Sequence, residues 1–352
     1  RFDAMVSDGQ FSPDEIMLIR NVSAQMLEAK LIANPHFDSY LKSLMAIKNL
    51  EPGKYSISEW STFLSAVFTS DIKLKRDNYK MILNFGSDFF GQNILYKKTS
   101  TFSWAAIGDI PIKLKVEDGS IWANLESVDL VCVRNKDSLI IANTSGQYNM
   151  LKKRFLASGG EVDWSRFDSE EDIRAYLGDF EIEMTKGLYT CSKVDLEYPR
   201  YFGSKRISGS FEDKIGARKK GVKGLYPKFE SKGGSLSIDN FGPGIEYSGG
   251  FKLSGLTIYG PGLDGAKAEL KIYNEEGALK LISQSNQFRI LTNEKITSDN
   301  VSCNIFMGSD SIYHPNIIMR YEIPNKKLEL KRGPNGNQKT PFYSSIHNVN
   351  IQ

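Results

Sequence analysis

The chain has no apolar run approaching the roughly 18 residues that a membrane-spanning helix needs. Its opening residues carry Asp3, Asp8, Asp14 and Glu15 where an export signal would be apolar. Cysteine is scarce: Cys132, Cys191 and Cys303 are too few and too widely spaced for a disulfide framework or for the close ligand pairs of a zinc site. A dominant charge is also missing, because 45 basic residues against 42 acidic ones leave a formal +3. That balance excludes the broad electropositive field of a nonspecific nucleic-acid binder, so no nucleic-acid partner is expected. The three histidines, His36, His314 and His347, lie far apart with no Cys, Asp or Glu cluster around them, and a structural or solvent-facing role is expected for them. His314-Pro315 reads as an inter-strand turn. The Gly-x-Ser-x-Gly nucleophile motif is absent, with Gly308-Ser309-Asp310-Ser311 the nearest approach. No cofactor, metal or catalytic residue is expected.

What the chain does have is an ordinary globular composition, 40% hydrophobic and 25% charged with twelve prolines over 352 residues, enough for two or three domains. Glycine divides it. Gly9, Gly53, Gly86 and Gly91 are the only glycines in the first hundred residues, whereas sixteen of the thirty fall between 201 and 300. Before the division the apolar period is helical. Ser12-Pro13-Asp14-Glu15 is a capping box ahead of Ile16, Ile19, Val22 and Met26. Asn34-Pro35 starts a second helix bearing Phe37, Tyr40, Leu41, Leu44 and Met45, and Ser56 to Glu59 opens a third with Trp60, Phe63, Leu64, Val67 and Phe68. Tyr79 to Leu83 adds a short fourth. After about residue 105 the period becomes two, as in Ile112, Leu114 and Val116 alternating with Lys113, Lys115 and Glu117. Hairpins with Asn-led turns recur at Asn135-Lys136-Asp137, Asn274 to Gly277 and Asn325-Lys326. Ser169 to Leu177, with an acidic first turn and Gly178 behind it, reads as the one helical interruption. The expected fold is α+β: a helical domain over residues 1 to 95, then a large, mainly antiparallel β domain over residues 105 to 352. That domain would be an open repetitive sheet, β-taco or sandwich of fifteen or so strands, subdivided near residues 200 to 230.

Few residues suggest chemistry. Gly260-Pro261-Gly262-Leu263-Asp264-Gly265 has dinucleotide-binding spacing, but Ala266 to Tyr273 alternates like a strand where that motif must open a helix, so a turn is expected. Lys214, Arg218, Lys219, Lys220, Lys223 and Lys228 form a candidate anion-binding loop with Tyr226 and Phe229 interleaved; a solvated loop is the plainer reading. Glu161, Asp163, Asp168, Glu170, Glu171 and Asp172 could supply a glycosidase pair, though an acidic helix start explains them as well. Trp104, Trp122 and Trp164 fit either a sugar platform or a core.

The strand and turn rhythm from Phe288-Arg289-Ile290 through Ser309-Asp310-Ser311-Ile312-Tyr313-His314-Pro315 to Leu328-Glu329-Leu330 resembles the OstA-like lipopolysaccharide-transport family and, behind it, the AsmA-like lipid-transfer proteins. The helical first hundred residues depart from both. The resemblance implies a periplasmic or outer-membrane-associated protein, a sheet with an apolar concave face, and the passage or support of acyl chains. Leu253, Ile258, Leu270, Ile272, Leu281, Ile290, Ile305 and Met319 would either line such a groove or fill it as a core. The abrupt ends, Arg1-Phe2-Asp3 and Asn350-Ile351-Gln352, suggest a processed chain whose export signal has been removed. The expected function is therefore a non-enzymatic envelope scaffold or amphiphile conduit with lipid and envelope-protein partners. A glycan-binding or glycan-cleaving β protein and a protein-interaction module are the alternatives.

Overall fold

The computed structural model describes residues 2–50, 54–108, 110–167, 171–216, 224–332, 342–344 and 350–351. A small N-terminal helical region precedes a large antiparallel sheet, with 23% of the chain helical and 49% in strands. No helix among the described residues is long and apolar enough to cross a membrane. The chain forms two compact units, the first comprising Arg1–Val162, Leu177–Thr190 and Lys214–Gly216, the second Asp163–Tyr176, Cys191–Asp213 and Ala217–Gln352.

In the first unit the helices are α1 (Phe2–Ser7), α2 (Pro13–Glu28), α3 (Asp38–Asn49), α4 (Ile57–Thr69) and α5 (Arg76–Gln92). The capping box at α2 forms as the sequence predicts: the Glu15 amide donates to Ser12 Oγ at 3.2 Å and the Ser12 amide to Glu15 Oε2 at 2.8 Å. Its stripe buries Ile19, Val22 and Met26. Pro35 cannot extend α2 and leaves Asn34 in extended backbone, so a wide turn over Ala33–Phe37 leads into α3. At α4 the Ser58 and Glu59 amides both donate to Ser56 Oγ.

The expected short fourth helix is instead α5, at 17 residues the longest of the five. Its two glycines and two asparagines obscure the helical period, but the burial of Ile82, Leu83, Phe85, Gly86, Phe89 and Phe90 restores it. Gly86 has a steric reason. A Cβ there would fall inside the indole of Trp60, which stacks on Phe63 at 5.5 Å, meets Phe90 edge-on at 5.2 Å and donates Nε1–H to Ser43 Oγ at 2.9 Å.

The strands of this unit are β1 (Ile94–Thr99), β2 (Phe102–Ile107), β3 (Ile112–Glu117), β4 (Ser120–Arg134), β5 (Asp137–Asn149), β6 (Arg154–Ser158), β7 (Glu161–Asp163), β8 (Arg174–Leu177), β9 (Asp179–Glu183) and β10 (Leu188–Glu197), with β7, β8 and β10 contributing residues to both units. The centre is the long β4–β5 hairpin, which turns at Asn135 in the left-handed region (φ 56°) that asparagine tolerates. One edge of β4 forks: Ser120 to Leu125 pair with β3, whereas Asp129 to Arg134 pair with β2. At the fork the β4–β5 register slips, and side chains pick up backbone groups that the ladder drops. The Ser127 amide donates to Ser145 Oγ at 3.0 Å, and the Asn143 amide to Asp129 Oδ1 at 2.9 Å.

The second unit repeats this device. It holds a single helical turn, α6 (Pro199–Phe202), and strands β11 (Ile207–Lys214, up to Asp213 in this unit), β12 (Lys228–Ser231), β13 (Leu236–Ile238), β14 (Ile245–Gly249), β15 (Lys252–Ser254), β16 (Thr257–Pro261), β17 (Ala268–Tyr273), β18 (Leu279–Ser285), β19 (Gln287–Leu291), β20 (Lys295–Met307), β21 (Asp310–Glu322), β22 (Lys327–Lys331), β23 (Phe342–Ser344) and β24 (Asn350–Ile351). The long β20–β21 hairpin turns at Gly308-Ser309, and β20 forks on its other edge into β19 through Lys295 to Thr297 and β18 through Val301 to Ile305. Ser285 Oγ donates to Asn300 O at 2.9 Å and accepts from the Gln287 amide at 3.2 Å, closing the fork. The branches continue as β19-β16-β15-β12-β11 and β18-β17-β14-β13, all antiparallel. They meet through aromatics: Tyr247 of β14 lies edge-on to Phe288 of β19 at 6.5 Å, and its hydroxyl donates to Gly250 O at 2.6 Å.

Two sequence readings change. The segment ending at Leu177 is strand β8 rather than a helix; Ile173, Ala175 and Leu177 are buried at period two, and Arg206 lies 3.7 Å from the Tyr176 ring centroid. His314-Pro315 is no turn either. It sits inside β21, where the register slips between Val301↔Ile317 and Cys303↔His314, a bulge that accommodates the proline. The three Asn-led hairpins form at the predicted turns, and Gly262 to Gly265 is a turn between strands, not the start of a helix.

Gly86→Ala is expected to lower stability by about 1–3 kcal/mol in equilibrium urea unfolding, because crowding of Trp60 outweighs the roughly 1 kcal/mol that alanine gains over glycine in a helix.

Candidate functional site

The predicted site residues do not assemble into a single site. Of the basic loop, Arg218, Lys219, Lys220 and Lys223 lie outside the described residues; Lys214 is exposed at the end of β11. Lys228 reaches Glu212 and the Tyr226 hydroxyl, each at 3.2 Å. Partial burial works against its charge, but these hydrogen bonds prevail and raise its pKa.

Among the acidic candidates, Asp168 and Glu170 fall outside the described residues. Asp163 accepts from the Ser165 amide and hydroxyl, Asp172 pairs with Arg174, and Glu171 accepts from Arg200 at 2.5 Å. Glu171 borders a cleft of about 200 Å³ with Tyr198 and Glu294, but its pairing with Arg200 gives it a structural task. Two of the three tryptophans belong to the core. Trp104 and Trp164 are buried and donate to the Lys186 and Gly255 carbonyls, and Trp122 is half-buried. Arg166 pairs with Asp213, which is 0% exposed, so this buried carboxylate is held in an ion pair.

His36 and His314 are both buried. The His36 ring pairs with Arg76 O at 3.2 Å, and His314 Nδ1 accepts from the Asn316 amide at 3.1 Å. His347 lies outside the described residues. Among the described residues no cluster of His, Cys, Asp or Glu is placed to hold a metal ion. The cysteines are buried, and desolvation pushes the Cys303 thiol up to about 11, keeping it protonated and unreactive.

Of the apolar residues that would line a groove in the sheet, Leu253, Ile258, Leu270, Ile272, Leu281, Ile290 and Met319 are buried and Ile305 is half-buried. Side chains fill that interior. The apolar face stays open instead in the first unit, at β3. Ile112, Leu114 and Val116 stand opposite Leu125, Ala123 and Ile121 of β4, so all six share one sheet face. The β4 residues are at most 1% exposed, whereas the β3 residues are only half-buried. Among the described residues β3 has no strand on its other edge.

Helix α4 faces this edge across a cavity of about 690 Å³. Trp60, Phe63 and Phe90 form its floor, and Lys54, Glu59, Lys113 and Lys115 stand at its rim. The Tyr55 hydroxyl donates to Ile110 O at 3.1 Å and fixes the chain just ahead of β3. Pro111 to Val116 all border the cavity, so the β3 backbone edge itself is presented to it. A trough of this size, apolar on its floor and polar elsewhere along its lining, suits an amphiphile's tail, and at its mouth Lys113 and Lys115 pair with Glu126 and Glu117.

No family model matches the chain, and no curated protein is significantly similar to it. The groove was not legible as a site in sequence. Ile112, Leu114 and Val116 signal a strand with one apolar face, and only the tertiary fold reveals that the described residues leave that face half-covered.

Tyr55→Phe is expected to cost about 1 kcal/mol and to speed amide hydrogen exchange in residues 111–116, measured by mass spectrometry against the parent protein.

Proposed function

We propose that this chain is a non-enzymatic cell-envelope protein, exported to the periplasm or the outer membrane, whose β-sheet is a scaffold and whose α4–β3 groove holds an amphiphile. The observation that carries the reading is the change in burial across one sheet face: complete at Leu125, Ala123 and Ile121, incomplete at Ile112, Leu114 and Val116. Hydrocarbon lying in the groove would continue the core, removing apolar surface from water at about 25 cal/mol per Å², and the rim lysines would meet an anionic head. The envelope location rests on the resemblance of the β-region rhythm to the OstA-like and AsmA-like families.

The filled interior favours a scaffold with one binding groove over a conduit running inside the sheet. The forked branches of the second unit, in contact through Tyr247 and Phe288, favour a sandwich-like arrangement there over an open taco. A second reading, docking of an extended peptide on β3, draws on the backbone edge that Pro111 to Val116 present to the cavity. The glycan reading has only the small Glu171 cleft in its favour.

The test is titration with a long-chain fluorescent fatty acid. The parent protein should bind it saturably, and Leu114→Asp, which places a charge on the half-buried β3 side of the groove, should weaken binding about tenfold or more while the circular dichroism spectrum is unchanged. Undiminished binding by the folded variant would contradict the proposal. Displacement of the probe by extended peptides but not by unlabelled lipid would favour the strand-docking reading.

A further inference from the structure

A second cavity of the first unit has the opposite chemistry. It measures about 240 Å³ and lies where one face of α5 meets β1 and the β5–β6 turn. Helical spacing stacks Asp77, Lys80, Asn84 and Asp88 along that face. Lys97 and Lys98 enter from β1, and Lys153 comes from the β5–β6 turn, where its backbone is left-handed (φ 54°).

Three lysines, Lys97, Lys98 and Lys153, face Asp77, Lys80 and Asp88 of α5 across the cleft. The Lys80, Lys97 and Lys153 ammonium groups make no ion pair or hydrogen bond among the described residues, and Lys98 only approaches Thr185 O at 3.5 Å. Lys80, Lys97 and Lys98 are exposed and hydrated, and with Asp77 and Asp88 among them the lysines leave the cleft a net positive charge that favours an anion.

The second observation is independent of charge. Tyr148 is 2% exposed and borders the cavity, yet its hydroxyl has no hydrogen-bond partner among the described residues. Its ring is fixed against Phe85 at 6.1 Å, so the phenol cannot swing out to solvent. That hydroxyl is not sealed inside the protein but opens onto the cavity, where a bound acceptor would pair with it. Asn84 accepts from Ser39 through Oδ1 at 2.6 Å, which leaves its amide N–H groups available to the cavity. The lining is thus rich in donors, with the half-buried Asp88 as an acceptor and Tyr96 as an aromatic wall.

We infer that this cleft binds a small anionic sugar, of the size of a phosphorylated or carboxylated monosaccharide, with the anionic group among Lys80, Lys97, Lys98 and Lys153 and ring hydroxyls toward Tyr148 and Asp88. The volume is below the usual range of roughly 300 to 1,000 Å³ for drug-sized ligands, which excludes a long oligosaccharide lying wholly inside. Donors outnumber acceptors, which disfavours a neutral sugar or a cation. The inference does not depend on the α4–β3 groove, with which this cleft shares no lining residue.

The experiment is isothermal titration of the whole chain with glucose 6-phosphate, glucuronate, glucose and inorganic phosphate. Saturable binding of at least one charged sugar is expected, with no measurable heat from glucose and binding of inorganic phosphate about tenfold weaker or more. Tyr148→Phe keeps the packed ring and removes only the hydroxyl. It should weaken the charged sugar about tenfold and leave inorganic phosphate unchanged, while Lys97→Ala/Lys153→Ala should weaken both. Absence of binding by both charged sugars, or equal affinity of parent and Tyr148→Phe for them, would overturn the inference. So would phosphate binding as tightly as the sugar phosphate.

Discussion

The constraint that governs this molecule is that a β-strand sends alternate side chains to opposite faces, so an apolar face once begun must be covered along its whole length. Both units meet it with a long hairpin whose register slips midway and whose edge then forks into two ladders, β3 and β2 from β4, β19 and β18 from β20. Forking bends the sheet and gives the apolar face something to pack on. It also leaves backbone groups without ladder partners, and short polar side chains recover them: Ser145 and Asp129 in one unit, Ser285 in the other. The buried serines near the forks are therefore part of the sheet's hydrogen bonding.

The cover runs out at β3. Helix α4 packs against that edge but leaves Ile112, Leu114 and Val116 half-buried, with Trp60 and Phe63 committed to Ser43, to each other and to Phe90. The aromatic cluster that makes the helical region compact also holds the cavity open, and Gly86 is the position that admits the indole. The groove, the helix packing and the α5 glycine are consequences of one arrangement. The lysine cleft on another face of α5 depends on the same helix, because its length brings Asp77 and Asp88 into one row.

Much of the fold was legible in the sequence, because its signals are local. Ser12 and Glu15 announce a helix start, Asn34-Pro35 an interruption, and Asn135, Asn274 and Asn325 mark turns where the chain reverses. The failures are equally physical. Glu171 and Asp172 resemble a helix's acidic first turn, yet the alternation of Ile173, Ala175 and Leu177 decides for a strand. Pro315 resembles a turn, yet a register slip provides for it within β21. Neither cleft was legible, because each is assembled from elements distant in the chain, and residues such as Leu114 and Tyr148 differ from core residues only in what their neighbours leave uncovered.

The claim that the sheet interior is filled and that the α4–β3 margin is its open place is tested most directly by photolabelling with a diazirine-bearing fatty acid, followed by peptide mapping. The account predicts adducts concentrated in residues 57–66 and 111–116. Adducts concentrated instead on inward strand positions such as Ile258, Leu270 or Ile290 would mean that hydrocarbon enters the sheet itself, and would contradict it.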